Sequence, residues 1–153
     1  MLYVLALLIG VVAGLRAMTA PAAVAWGAGL GWLPLAGTWA AFMGHWAALA
    51  VFTVLAIVEF ITDQLPSTPS RKVPQQFGAR LVSGAFAGAV LGAATGAALA
   101  GAIASAVGAV IGTYGGADLR ARLAAAFGND RPAALIEDAV AIVGGLLIVG
   151  AVS

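Results

Sequence analysis

Residues 46–63 read WAALAVFTVLAIVEFITD, an unbroken apolar run that closes on two carboxylates, Glu59 and Asp63, one helical turn apart. A segment of this kind, extended back to residue 38, approaches the roughly 20 apolar residues that a helix needs to cross a bilayer core. Its charged end is as informative as its apolar body. Acids beside such a run are costly to bury, and ionisable groups within membrane segments mark functional sites by default.

The rest of the chain is built in the same way. It is 63% hydrophobic and 8% charged, with a mean hydropathy of +1.07, whereas soluble domains carry about 25% charged residues. The 153 residues therefore read as an all-α polytopic membrane helix bundle, with one transmembrane domain over 1–153. The expected location is the inner membrane of a bacterial cell. Cysteine is absent, which excludes disulfides and thiolate metal sites. A net charge of +1 without a run of Lys or Arg gives no footprint for nucleic acid. The expected partner is the lipid bilayer itself.

The apolar runs predict about five transmembrane helices, over 2–29, 38–61, 79–94, 97–115 and 131–152. The third and fourth come from one stretch, 81–117, too long for a single crossing, and are divided near Thr95-Gly96, where glycine permits a tight turn. Basic residues then cluster in the loops at about 62–78 (Arg71, Lys72, with Arg80 at the edge) and 116–131 (Arg120, Arg122, Arg131). Such residues favour the cytoplasm, so the N-terminus is expected inside and the C-terminus outside. Trp26, Trp32, Trp39 and Trp46 gather around the first outer turn, as indoles do at an interface, with Tyr3 and Tyr114 at the opposite face. Pro66, Pro69 and Pro74 make the first inner loop a stiff connector. Residues 118–126 read as a short amphipathic helix on the membrane surface.

Glycine recurs every fourth residue at Gly84, Gly88, Gly92 and Gly96, and again at Gly108, Gly112 and Gly116. Small residues at this spacing let helix backbones approach closely, within the protomer or between protomers, so a homo-oligomer such as a dimer is expected. Gly14-Leu15-Arg16 with Thr19 is echoed by Gly78-Ala79-Arg80 with Ser83, which suggests an internal repeat of two hairpins.

Arg16 falls near mid-bilayer, where a lone arginine costs at least about 2.5–3.5 kcal/mol. Pro21 follows closely and is expected to kink or break the first helix, as in transporters whose interrupted helices carry a binding site. Glu59, Asp63 and Glu137 are expected to converge in the inner third of the membrane, with Asp138 offset by about 100° on its helix. Asp130 and Pro132 would start that last helix as cap and first-turn residue. Oxygen ligands of this kind suit protons or a hard divalent cation held by Glu59 and Glu137. The plainer reading is that Arg16 and Arg80 pair structurally with the acids. His45, with no ligand neighbours, reads as a satisfied interfacial histidine.

These motifs resemble a bacterial membrane family catalogued as domain of unknown function 4126. The likeness covers most of the chain and rests on Gly14-Leu15-Arg16-Ala17, on Glu59-Phe60-Ile61-Thr62-Asp63-Gln64-Leu65-Pro66, and on Glu137-Asp138. That family typically has lysine where Gln64 stands, Arg-Pro where Arg80-Leu81 stands, and serine where Ala134 stands. The resemblance implies a shared fold and marks Arg16, Glu59, Asp63, Glu137 and Asp138 as motif positions, without implying an activity.

The expected function is a small secondary transporter or channel for a cation, protons or both. Glu59, Asp63, Glu137 and Asp138 would bind the ion, with Arg16, Arg80 and Pro21 as counter-ions and gate. Two alternatives are a non-transporting scaffold that packs through glycine faces, and an enzyme acting on a lipid headgroup. No nucleophile elbow, histidine-rich metal cluster or serine–histidine pair supports an enzyme.

Overall fold

The computed structural model describes residues 2–33, 35, 37–62, 74–94, 96–128 and 130–152. They are all-α: α1 (Leu2–Leu15), α2 (Thr19–Gly29), a 3-10 segment (Trp39–Gly44), α3 (Trp46–Thr62), α4 (Pro74–Ala93), α5 (Ala98–Phe127) and α6 (Asp130–Val152), with no strand among the described residues.

The predicted helix over 2–29 is two helices, interrupted at Arg16–Met18 rather than at Pro21, which lies buried within the first turns of α2. The position follows from proline chemistry. Pro21 lacks an N–H and its ring crowds the carbonyl four residues earlier, so the disturbance falls at Ala17. The predicted helix over 38–61 is also divided. His45 is extended (ψ 143°) between the 3-10 segment and α3, and its Nδ1 accepts the Ala47 N–H at 3.1 Å. It thus acts as a helix cap.

The division of 81–117 falls where expected. Gly96 adopts φ +78°, Ala97 N–H donates to the Gly92 carbonyl at 2.7 Å, and Gly96 N–H donates to Ala93 at 3.3 Å. This is the paired hydrogen-bond ending that a left-handed glycine gives a helix. Gly96 is therefore the turn and takes no part in packing, since nothing lies within 4 Å of where its Cβ would be.

The surface helix expected over 118–126 is instead the end of α5, which runs unbroken to Phe127 and closes on Gly128 at φ +71°. Two successive glycines, Gly115 and Gly116, do not stop it, because each costs only about 1 kcal/mol relative to alanine. Part of the loop expected at 116–131 is accordingly helical. At 30 residues, α5 is about 45 Å long by the rise per residue. It alone among the described helices is long and apolar enough to cross a membrane by length and composition, and Tyr3–Leu15, Trp46–Ile61 and Phe77–Ala93 are shorter apolar helices.

α1 and α4 pack along α5 and against each other, while α6 closes on α1, α2 and α5, and α3 lies against α2. Glycine determines the closeness of the central trio. A Cβ at Gly88 would strike the Gly101 carbonyl, and one at Gly108 would strike the Leu7 carbonyl. The Gly84, Gly88 and Gly92 face of α4, and Gly108 and Gly112 on α5, are covered by helices of the same chain. Ile9, Val24, Val90, Leu91 and Val149 fill the remaining core. The outside is apolar as well: Val54, Ile57 and Ile61 on α3, Leu99, Ile103 and Val107 on α5, and Val143 and Leu147 on α6 are all exposed. Exposed apolar surface of this extent marks a face that contacts a membrane or another protein.

Candidate functional site

The interruption between α1 and α2 leaves backbone groups that neither half can satisfy. Met18 would ordinarily donate to the Gly14 carbonyl, and residue 21 to that of Ala17. Here the N–H groups of Ala17 and Met18 donate to Glu59, one to each carboxylate oxygen, both at 2.9 Å. The Gly14 carbonyl accepts from Arg80 Nη1 at 2.8 Å. The Ala17 carbonyl, denied a partner by Pro21, accepts from the Ser83 hydroxyl. Arg80 and Ser83, one turn apart on α4, therefore clamp the break from one side while Glu59 caps α2 from the other. α4 itself passes unbroken through Arg80, so the sequence echo of Gly14-Leu15-Arg16 does not extend to a second helix break.

The Arg16 side chain is fully buried. Its Nε donates to Asp138 Oδ1 at 2.5 Å, and Nη2 lies 2.5 Å from the same oxygen. Its Nη1 is 3.3 Å from Glu137 Oε1, which also lies 3.5 Å from Arg120 Nη1 of α5. The Phe60 ring centroid is 5.9 Å from the guanidinium carbon, within cation–π range. Glu137 and Asp138 are 7% and 9% exposed, so these charges interact with little screening by water. Ions so placed lose several kcal/mol each in hydration, and only close pairing retains them.

The structure thus brings Arg16, Arg80, Glu59, Glu137 and Asp138 to one break in one helix. The guanidinium fork spans the adjacent carboxylates of Glu137 and Asp138, and Asp138 makes the closer contact. Glu59 reaches the same break, where each of its oxygens accepts a backbone N–H. Among the described residues no three His, Cys, Asp or Glu side chains gather as a metal site. Asp63 lies outside the described residues. Arg120 gives no signal in a stretch whose pattern suits a surface helix, and Ser83 gives little as a lone serine in an apolar helix. The hint available for Ser83 was the Pro21 spacing, which leaves the Ala17 carbonyl short of a donor.

Two recesses flank the cluster. One, of about 50 Å³, is lined by Leu15, Arg120, Leu123, Ile136 and Glu137. The other, of about 300 Å³, is lined by Thr19, Trp26, Trp32, Phe60, Ile142 and Leu146. Along α1–α2, Arg16 falls between Leu15 of the first and Thr19 of the second. Along α6, Asp138 falls between Glu137 and Ile142. Comparison with family models, curated proteins and solved structures finds no match for this chain.

Proposed function

We propose that this is an integral membrane protein of about five crossings that acts as a small secondary transporter or channel, with protons as the coupling or conducted ion. The crossings are α1 with α2, then α3, α4, α5 and α6, the N-terminus cytoplasmic and the C-terminus outside by the placement of basic residues. The kinship with domain of unknown function 4126 rests on the motifs quoted above, of which Arg16, Glu59, Glu137 and Asp138 meet at the helix break.

The observation that carries this reading is the buried Arg16–Glu137–Asp138 cluster at an interrupted helix, with one recess on either side of it along both chain segments. Interrupted helices at mid-membrane expose backbone groups for a cargo, and a charge cluster between two vestibules can pass a proton from one to the other. Protons fit the site better than a divalent cation, because the acids already hold guanidinium or backbone donors. A scaffold working through glycine faces has less support, since Gly84, Gly88, Gly92, Gly108 and Gly112 are used inside the protomer.

The test is proton flux in proteoliposomes containing an internal pH dye. Flux above that of empty liposomes is expected from the native chain and its loss from Glu137→Gln combined with Asp138→Asn. Equal flux from the native chain and this variant would remove the cluster from the mechanism.

A further inference from the structure

The larger of the two recesses beside the ion cluster ends on the first residue of α2. Thr19 and Phe60 line it at this end, and Trp26, Trp32, Ile142 and Leu146 line the rest. Thr19 is 4% exposed, and its Oγ1 has no hydrogen-bond partner among the described residues. A hydroxyl removed from water and left unpaired is costly unless something else pairs with it. The N–H groups just before it, on Ala17 and Met18, already hold a carboxylate, that of Glu59. This helix start therefore shows carboxylate binding within the chain itself and carries one unused donor beside it. Elsewhere the groove is apolar, and its one indole donor known to be engaged, Trp26 Nε1, is tied to Thr53 Oγ1 at 2.9 Å.

We infer that the groove binds an amphipathic monocarboxylate, a single apolar chain or ring bearing one carboxylate. The carboxylate lies at the N-terminus of α2, where helix N–H groups favour anions, and the apolar part lies along Trp26, Trp32, Ile142 and Leu146. Thr19 donates to one oxygen of the ligand, and the other competes with Glu59 for the Ala17 and Met18 N–H groups. A volume of about 300 Å³ is at the lower end of small-molecule sites, which suits one short chain. The inference deepens the transport reading by naming its cargo class, and rests on that reading only in calling the ligand a cargo.

The experiment is fluorescence quenching in lipid nanodiscs, with Trp39→Phe and Trp46→Phe so that emission comes from Trp26 and Trp32. The probes are bromo-substituted octanoate and octanol, which differ in the charged head alone. Saturable quenching by the acid, at least about tenfold tighter than by the alcohol, is expected for a charge-assisted contact. Thr19→Val, close in shape and lacking the hydroxyl, is expected to weaken the acid about tenfold and leave the alcohol unchanged. Glu59→Gln, a weaker competitor, is expected to tighten the acid. Equal quenching by acid and alcohol, unaltered by either variant, would overturn the inference and leave a groove filled by bilayer lipid. Acid binding without proton flux would sink the transport reading and leave the site standing. Flux without acid binding would do the reverse.

Discussion

Arg16 and Asp138 lie 122 positions apart in the chain and meet at 2.5 Å inside the bundle. This contact ties the end of α1 to α6 at the level where α1 gives way to α2. It joins the two helices through charge at a point where both partners are buried.

Removing the arginine leaves Glu137 and Asp138 buried without their shared cation. Arg16→Met is expected to lower stability by about 3–5 kcal/mol, the usual cost of breaking a buried pair from one side. Asp138→Asn should cost more than Glu137→Gln, because Asp138 takes the closer contacts while Glu137 is shared with Arg120. Thermal midpoints in detergent would order the three variants. A Glu137→Gln midpoint below that of Asp138→Asn would reverse the assignment.

Glu59 holds α2 by its backbone, so its loss should be local. Glu59→Ala is expected to speed hydrogen exchange at the Ala17 and Met18 amides and to cost about 1–3 kcal/mol. Amides in the middle of α5 should keep their protection. Uniform loss of protection would mean that Glu59 supports the whole bundle.

The helical runs, the Gly96 turn and the need of Arg16 for a carboxylate were legible in the residues. Each follows from local chemistry or from a single buried charge. The location of the break was not, because a proline acts on the carbonyl four positions before it and so displaces the disturbance from its own position. The part played by Glu59 was hidden for a related reason. A carboxylate near a basic residue reads as an ion ligand, whereas backbone N–H groups become visible as partners only once a helix is known to stop. Arg120 escaped notice because Gly115-Gly116 looked like a helix end, while the close packing of Gly112 and its neighbours on α1 carries α5 straight through.

Two glycines of α5 offer a paired test of that packing. Nothing lies within 4 Å of a Cβ at Gly115, whereas one at Gly108 would strike the Leu7 carbonyl. Gly115→Ala is expected to raise stability by about 0.4–1 kcal/mol through the unfolded chain. Gly108→Ala should lower it, since α1 must move away. Matching shifts in the two denaturation midpoints would mean that α1 and α5 are not in close backbone contact at Gly108.

The two arginines near the end of α5 should behave differently despite lying two positions apart. Arg122 pairs with Asp118 at 3.1 Å, but both side chains are largely exposed, and such pairs contribute little. Arg120 is mostly buried and shares Glu137 with Arg16. Arg122→Ala is therefore expected to shift stability by less than about 0.5 kcal/mol. Arg120→Ala should destabilise more, and the difference should shrink when Glu137 is already Gln, because the partner is gone. A double-mutant cycle on Arg120 and Glu137 measures that coupling directly. A coupling near zero would show that Arg120 stands beside the cluster without acting on it.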